Sequence, residues 1–135
     1  MPNVLPRGIR NCNPGNVVYN KNNDWEGQLR PDGRYCRFTT PEKGIRAMAK
    51  ILVRYNLAGC NTLESIIRRW APTFENDTEE YIDAVCEWTG LERNWVVTTL
   101  DYPSLIGAII RFENGENPYE PDVIDRGIKQ AFVSR

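Results

Sequence analysis

The sequence predicts an α+β domain dominated by helix, with about six helices beside one small β-hairpin. Three observations predict this class. The first forty residues are rich in Gly, Asn, Pro and aromatic residues and lack a regular apolar period, whereas apolar residues recur at helical spacing from residue 40 onward. No internal repeat or linker interrupts the 135 residues. We therefore expect residues 1–135 to form a single domain.

The hairpin is predicted within residues 28–38. Two short segments, residues 28–30 and 35–38, flank the sequence P-D-G-R at residues 31–34. Proline and glycine inside such a four-residue stretch are typical of a β-turn. Residues 17–19 are a third short strand candidate.

Capping residues predict where the first two long helices begin. Thr40 followed by Pro41 is typical of an N-cap and a first-turn proline. Asn61 with Glu64 three residues later resembles a capping box, and Pro72 is expected to end this second helix.

Similar signals delimit the remaining helices. Asp77 with Glu80 begins the third one, which Gly90 ends. A short helical piece is predicted at residues 93–99. Two more amphipathic helices are predicted to begin near residues 101 and 122.

The overall charge argues against a nucleic-acid partner. The chain has 17 basic and 18 acidic residues and a net charge of −1, whereas nucleic-acid binding usually leaves a strongly basic footprint. Arginine outnumbers lysine by 13 to 4, which favours bidentate pairing and carboxylate recognition. No stretch approaches the roughly 18 apolar residues of a membrane helix, so no membrane insertion is predicted.

The amino-acid types limit the chemistry. The chain has no histidine, which removes the commonest general base and metal ligand. Its four cysteines lack the paired spacing of a zinc site, so we predict no metal and no cofactor: Cys12, Cys36, Cys60 and Cys86. One or two disulfides and four free thiols both remain open. Any catalysis must therefore depend mainly on carboxylates.

Glu113 is the strongest catalytic candidate. It lies three, four and seven residues after Ile110, Ile109 and Ile106, and so extends the apolar stripe of its helix. It also falls in the last turn before Gly115, where the helix dipole disfavours negative charge. Both effects predict a pKa above the usual value of about 4.3, as a general acid requires. The alternative is a glutamate that reaches solvent at a frayed helix end.

Two other carboxylates are candidates for a second catalytic group. Glu75 precedes the helix that starts at Asp77, and its alternative role is to accept hydrogen bonds from free helix amides. Glu26 lies near the hairpin, and its favoured alternative role is that of a solvated turn residue.

Large aromatic residues accompany the hairpin. Trp25, Tyr19 and Tyr35 have the polar edges that suit stacking on sugar rings, or they pack the hairpin against the helices. Three further tryptophans lie at helical spacing from apolar residues and are expected in the core: Trp70, Trp88 and Trp95.

Five separated motifs carry a resemblance to a known family. They are R-G-I-R-N-x-N-P-G-N at residues 7–16, W-x-G at 25–27, G-I-R-A at 44–47, R-W-A-P-x-x-E-N-x-T at 69–78 and E-N-G-x-x-P-Y at 113–119. Together they resemble phage and prophage lysozyme-like proteins over about residues 7–128. Members of this family are described either as lytic proteins or as structural proteins of the virion.

The resemblance implies a rearranged order of elements. Residues 13–38 and the following helix are similar to the glucosaminidase type of lysozyme-like enzyme, in which the catalytic helix comes earlier in the chain. Here the segment at residues 109–119 looks like the catalytic helix of phage lysozymes. The implied fold is a circularly permuted lysozyme-like domain in which Glu113 returns to the hairpin across a cleft.

The function implied is cleavage of peptidoglycan glycan strands by a muramidase or a lytic transglycosylase. Glu113 would be the general acid, with Glu75 as the second catalytic candidate. Six residues are predicted to bind the sugars: Asn13, Asn16, Tyr19, Trp25, Gln28 and Tyr35. The alternatives are a virion structural or glycan-binding protein without turnover and a secreted antibacterial toxin.

The expected partner is the peptidoglycan glycan strand, and we expect a monomer. The N-terminus has no apolar run typical of a secretory signal, which predicts synthesis in the host cytoplasm without a signal peptide. Action is then expected in the periplasm or cell wall, or as part of a virion.

Overall fold

The computed structural model describes residues 4–71 and 77–133, which form six α-helices, one two-stranded antiparallel sheet and a short 3-10 helix at Thr99–Asp101. The predicted α+β, mainly helical class is confirmed. The helices are α1 (Arg7–Arg10), α2 (Pro41–Leu57), α3 (Leu63–Trp70), α4 (Thr78–Thr89), α5 (Tyr102–Asn114) and α6 (Pro121–Val133), and the strands are β1 (Gln28–Asp32) and β2 (Tyr35–Phe38).

The hairpin forms where the turn sequence predicts it. Asp32 pairs with Tyr35 at the end of the ladder, and Gly33 in the turn has a φ of 59°, a conformation that residues with a side chain rarely adopt. The predicted third strand at residues 17–19 is wrong. Val18 makes an isolated antiparallel bridge to Tyr35. Cys36 N–H donates to the Val17 oxygen and Tyr19 N–H donates to the Arg34 oxygen, so the segment contacts the hairpin without extending its ladder.

Two of the predicted helix starts are confirmed by their caps. The Thr40 side chain accepts a hydrogen bond from the backbone N–H of Lys43 at 3.2 Å. The Asp77 side chain accepts one from the backbone N–H of Glu80, also at 3.2 Å. Gly90 ends α4 in the left-handed conformation, with a φ of 77°.

The start of α3 differs by one residue from the prediction. Its capping box joins Thr62 to Ser65 rather than Asn61 to Glu64. The Glu64 side chain instead accepts hydrogen bonds from Arg68, so its carboxylate serves an ion pair on the helix surface.

The predicted helical piece at residues 93–99 is also wrong. This segment runs alongside the start of α3, where Val96 forms an isolated antiparallel bridge with Thr62. Helical hydrogen bonding is replaced by these pairings until the 3-10 helix begins at Thr99. Trp95 lies in this segment and is 46% exposed, so the expectation that it belongs to the core is also wrong.

The core lies between α2, α3, α4 and α5. Its largest fully buried side chains are Ile45, Met48 and Leu52 of α2, Leu63 and Ile67 of α3, Tyr81, Ile82 and Val85 of α4, and Leu105, Ile106, Ile109 and Ile110 of α5. Helix α6 packs very closely against α2. A Cβ atom at Gly127 would lie only 2.6 Å from the side chain of Ile45, so the absence of a side chain at Gly127 permits this approach. None of the described helices combines the length and apolar character needed to span a membrane.

All four cysteines are free thiols in the structure, with no disulfide bond between them. Cys36 is completely buried, and burial raises the pKa of its thiol to about 11. This thiol therefore stays protonated at neutral pH and is a poor nucleophile.

One buried amide joins the irregular N-terminal segment to the hairpin. Asn13 is completely buried, and its Nδ2 donates to the backbone oxygens of Val17 and Cys36, both at 3.0 Å. Its Oδ1 accepts from the backbone N–H of Val17 at 2.9 Å. We call residues 11–17 the anchor loop, because these bonds fix its path against β2.

Helices α2 and α3 hold the other side of the anchor loop. A Cβ atom at Gly44 would lie only 2.1 Å from the carbonyl oxygen of Cys12, so the loop backbone rests directly on α2. The indole N–H of Trp70 donates to the carbonyl oxygen of Gly15 at 3.2 Å. The loop is therefore fixed by the hairpin and by two helices at once.

We predict that Asn13→Ala lowers the free energy of unfolding by about 3 kcal/mol, since it leaves buried backbone groups without partners. Urea unfolding of the variant and the wild type measures this difference. Asn22→Ala, at an exposed position whose side chain makes no hydrogen bond in the described structure, should change stability by less than about 0.5 kcal/mol. Equal stability of Asn13→Ala and the wild type would show that the amide does not anchor the loop.

Candidate functional site

A cleft of about 520 Å³ opens beside the anchor loop. The anchor loop and the first residue of β2 form one wall, and α2, α3 and the C-terminal end of α5 form the other. The sequence predicts this arrangement, with the hairpin and the end of the Glu113 helix facing each other. The volume is within the usual range of small-ligand sites, about 300–1,000 Å³.

Glu113 lies in the cleft wall, in the last turn of α5, and is half-buried. Its Oε1 accepts a hydrogen bond from Asn16 Nδ2 at 2.8 Å. Its Oε2 accepts one from the Tyr81 hydroxyl, also at 2.8 Å. The carboxylate therefore connects the anchor loop with α4.

Tyr81 is a fixed donor in this arrangement. Its side chain is fully buried, and its ring stacks on Phe112 with a centroid distance of 3.9 Å. Burial, followed by the charge of Glu113 and the hydrogen bond to it, raises the pKa of Tyr81 well above its usual value of 10. The phenol therefore stays protonated at any physiological pH, and its O–H donates a hydrogen bond to the Glu113 carboxylate.

The hydrogen bonds from Asn16 and Tyr81 oppose the protonated state that the sequence predicts for Glu113. The sequence predicts that burial and the helix dipole favour the neutral acid. Hydrogen bonds from Asn16 and Tyr81 act in the opposite direction, because donors stabilise the charged carboxylate. The contact with Tyr81 could not be anticipated, because it depends on how α4 packs against α5.

Asn16 is held in an unusual conformation that aims its amide. Its φ is 52°, in the left-handed region that asparagine tolerates better than most residues. While its Nδ2 donates to Glu113, its Oδ1 accepts from Arg7 Nε at 3.4 Å. The amide therefore links an arginine at the cleft surface to the carboxylate.

Four of the predicted sugar-binding residues do not line the cleft. Asn13 is completely buried and fully hydrogen-bonded, so it acts structurally. Trp25 is 5% exposed and the guanidinium of Arg54 lies 4.6 Å from its ring centroid, so stacking on a sugar is excluded. Gln28 and Tyr19 lie outside the described lining.

The remaining candidates differ in whether they line the cleft. Tyr35 lines the cleft as predicted, but the guanidinium of Arg7 lies over its ring, 3.6 Å from the centroid. Glu75 lies outside the described residues. Glu26 pairs with Lys43 and with Arg46, the latter at 3.5 Å, and does not line the cleft.

The arginines of the cleft were not predicted from the sequence. Four of them contribute to its lining: Arg7, Arg34, Arg54 and Arg69. They come from distant parts of the chain, and a single arginine in a helix is most often a solvated surface residue. The excess of arginine over lysine is the one sequence signal that points to them.

No metal centre is found in the part of the chain that the structure describes. No group of three or more Cys, Asp or Glu side chains there could hold a metal ion. The described lining of the cleft includes the Glu113 carboxylate and four arginines.

No family model matches the sequence. A relative is found among phage proteins. Protein P5 of Pseudoalteromonas phage PM2 is 44% identical over 135 aligned residues, which cover 96% of this chain and 84% of the phage protein. The chain therefore belongs to the same family as this phage protein.

Proposed function

We propose that the protein cleaves the glycan strands of peptidoglycan with Glu113 as its single acid and base. The observation that carries this proposal is a half-buried glutamate, fixed through both oxygens, in the wall of an open cleft. Two motifs that resemble lysozyme-like phage proteins, at residues 7–16 and 113–119, meet at this point. Membership of a phage protein family is compatible with such an activity.

The described lining of the cleft contains one carboxylate, that of Glu113. Hydrolytic glycosidases ordinarily use two, one on each side of the scissile bond. A lytic transglycosylase needs only one, because a hydroxyl of the sugar itself replaces water as the nucleophile. The described residues therefore favour the transglycosylase reaction.

The reaction would proceed with a balanced proton transfer. Glu113 gives its proton to the bridging oxygen as the bond from that oxygen to the anomeric carbon breaks. The C6 hydroxyl of the same sugar then attacks the anomeric carbon and forms a 1,6-anhydro ring, and its proton returns to Glu113. The carboxyl group ends in the state in which it began.

Asn16 and Tyr81 are positioning residues in this mechanism. Their hydrogen bonds fix both carboxylate oxygens, so that the carboxyl group need not reorient when the sugar arrives. Both donors also stabilise the negative charge that forms on Glu113 once its proton has left.

A specific observation favours glycan binding without turnover as the second candidate. The two donors to Glu113 favour its charged form before any substrate binds, and a carboxylate has no proton to donate. In that case Glu113 would accept hydrogen bonds from sugar hydroxyls, and the cleft would attach the protein to the cell wall.

Replacement of Glu113 by glutamine separates these two functions. The substituted side chain can keep the local geometry, because its amide oxygen can accept from Asn16 while its NH2 group donates to the Tyr81 oxygen. We predict that Glu113→Gln retains the wild-type fold and loses at least about a hundredfold of the lytic activity, since the transferable proton is gone. Release of soluble fragments from purified peptidoglycan measures the loss.

The matched control is Glu92→Gln, at an exposed position outside the cleft. It should leave lysis unchanged. Undiminished lysis by Glu113→Gln would place the catalytic group elsewhere. Binding to peptidoglycan by a wild type that releases no fragments would establish the second candidate.

The hydrogen bond from Tyr81 predicts a shift of the pH profile. Removing a donor to the charged form makes the carboxyl group of Glu113 hold its proton to higher pH. In Tyr81→Phe the fall of activity at high pH should therefore move to higher pH.

Lysis rates measured across the pH range test this shift. Tyr102→Phe is the matched control, because Tyr102 is also buried, its pKa is also raised by burial, and it lies outside the cleft. Its profile should coincide with that of the wild type. An unshifted or downward-shifted profile in Tyr81→Phe would contradict the assignment of Glu113 as the titrating acid.

A further inference from the structure

We propose that the cleft selects glycans that carry carboxylate groups, and that Arg7, Arg54 and Arg69 recognise those groups. This inference rests on the proposed function for its setting, and it names the class of substrate: an acidic glycan strand rather than a neutral one. Its evidence is the placement and the contacts of the three arginines.

The three arginines lack carboxylate partners among the described residues, although several arginines outside the cleft have them. On the outer surface, each of three arginines pairs with two or more acidic side chains: Arg68, Arg93 and Arg126. Arg7, Arg54 and Arg69 line the cleft and form no ion pair with any described acidic residue. Their charges are therefore available to an anionic ligand.

Each of these guanidinium groups is already ordered by an aromatic ring. The carbon at the centre of the group lies 3.6 Å from the ring centroid of Tyr35 for Arg7 and 4.6 Å from that of Tyr55 for Arg69. Arg54 is held between the ring of Trp25 and the Asn23 side chain, to which it donates at 3.0 Å. A stacked guanidinium loses little freedom on binding and keeps its N–H edges for bidentate contact with a carboxylate.

Arg7 would hold a carboxylate of the glycan close to the glycosidic bond that Glu113 is proposed to cleave. Its Nε donates to Asn16 Oδ1, and Asn16 Nδ2 donates to Glu113. One amide group therefore separates the arginine from the carboxylate that would cleave the strand. An acidic substituent bound by Arg7 would lie beside the glycosidic bond rather than at a remote end of the cleft.

The same contacts weaken the case for a neutral glycan. Neutral sugars commonly stack on open aromatic faces, but here arginines cover one face of Tyr35 and one face of Tyr55. These covered faces also disfavour single-stranded nucleic acid, which stacks its bases on aromatic rings along a basic groove.

Two parts of peptidoglycan could supply the carboxylates. Strands without peptides carry the lactyl carboxylate of muramic acid, whereas complete strands carry the acidic groups of their peptide stems. The shared chemistry is a carboxylate next to the sugar backbone, and ligands of both kinds distinguish the sources.

Calorimetric titration of the full chain tests the inference independently of cleavage. The Glu113→Gln protein is titrated with three strands of equal length: a neutral chitooligosaccharide, a peptide-free strand with lactyl carboxylates, and a strand with peptide stems. At least one acidic strand should bind about tenfold or more tightly than the neutral one, as a charge-assisted contact predicts. The acidic strand with the greater preference identifies the source of the carboxylate.

Removal of the arginines should abolish this preference. In Arg54→Gln/Arg69→Gln the ratio between acidic and neutral affinities should fall below about threefold, and Arg7→Gln should lower it in part. The control Arg30→Gln/Lys129→Gln removes the same two charges from exposed positions outside the cleft and should keep the full ratio. Thermal unfolding verifies that each variant is folded, and the single Arg7→Gln variant decides the test if the double variant is not.

Equal binding of acidic and neutral strands would overturn the inference, as would an unchanged ratio in folded arginine variants. Tighter binding of a single-stranded oligonucleotide through the same arginines would also overturn it. These outcomes are distinguishable from failure of the proposed function. Preference for acidic strands without any cleavage would contradict only the proposed enzymatic function. Cleavage with equal binding of acidic and neutral strands would contradict only the proposed selectivity.

Discussion

The buried side chain of Asn13 is the interaction on which the cleft depends. Its three hydrogen bonds join the anchor loop to β2, and this union lets a segment without regular structure act as a rigid wall. Because the loop is fixed there and rests on α2 at Gly44, Asn16 can be held in a left-handed conformation with its amide directed at Glu113. Asn13, which the sequence suggests as a sugar-binding residue, therefore has a structural role next to the site.

Several local features of the chain were predictable from neighbouring residues, whereas most contacts between distant elements were not. The position of Glu113 in the last turn of α5 could be predicted, because the apolar stripe and the following Gly115 fix where its side chain lies on the helix. The helix caps at Thr40 and Asp77 followed from neighbouring residues in the same way. The contact of Glu113 with Tyr81 depends on how α4 packs on α5, and no local pattern encodes that packing.

The charge of the cleft differs from that of the chain. The chain has 17 basic and 18 acidic residues, but the described lining of the cleft contains four arginines and one glutamate. Guanidinium groups near a carboxylate favour its charged form. An acidic substrate would neutralise part of that positive potential as it binds, and so would favour the protonated Glu113 that cleavage requires. Substrate selection and catalysis would then depend on the same arginines.

The central claim is that a glycan strand occupies the cleft with its scissile bond at Glu113. The most direct measurement is a crystal structure of Glu113→Gln bound to a peptidoglycan fragment long enough to span the cleft. The account predicts that the bridging oxygen of one glycosidic bond lies within hydrogen-bond distance, about 3 Å, of the side chain at position 113. It also predicts that a carboxylate of the fragment contacts Arg7, Arg54 or Arg69. A fragment bound on another face, or one whose glycosidic bonds all lie away from position 113, would contradict it.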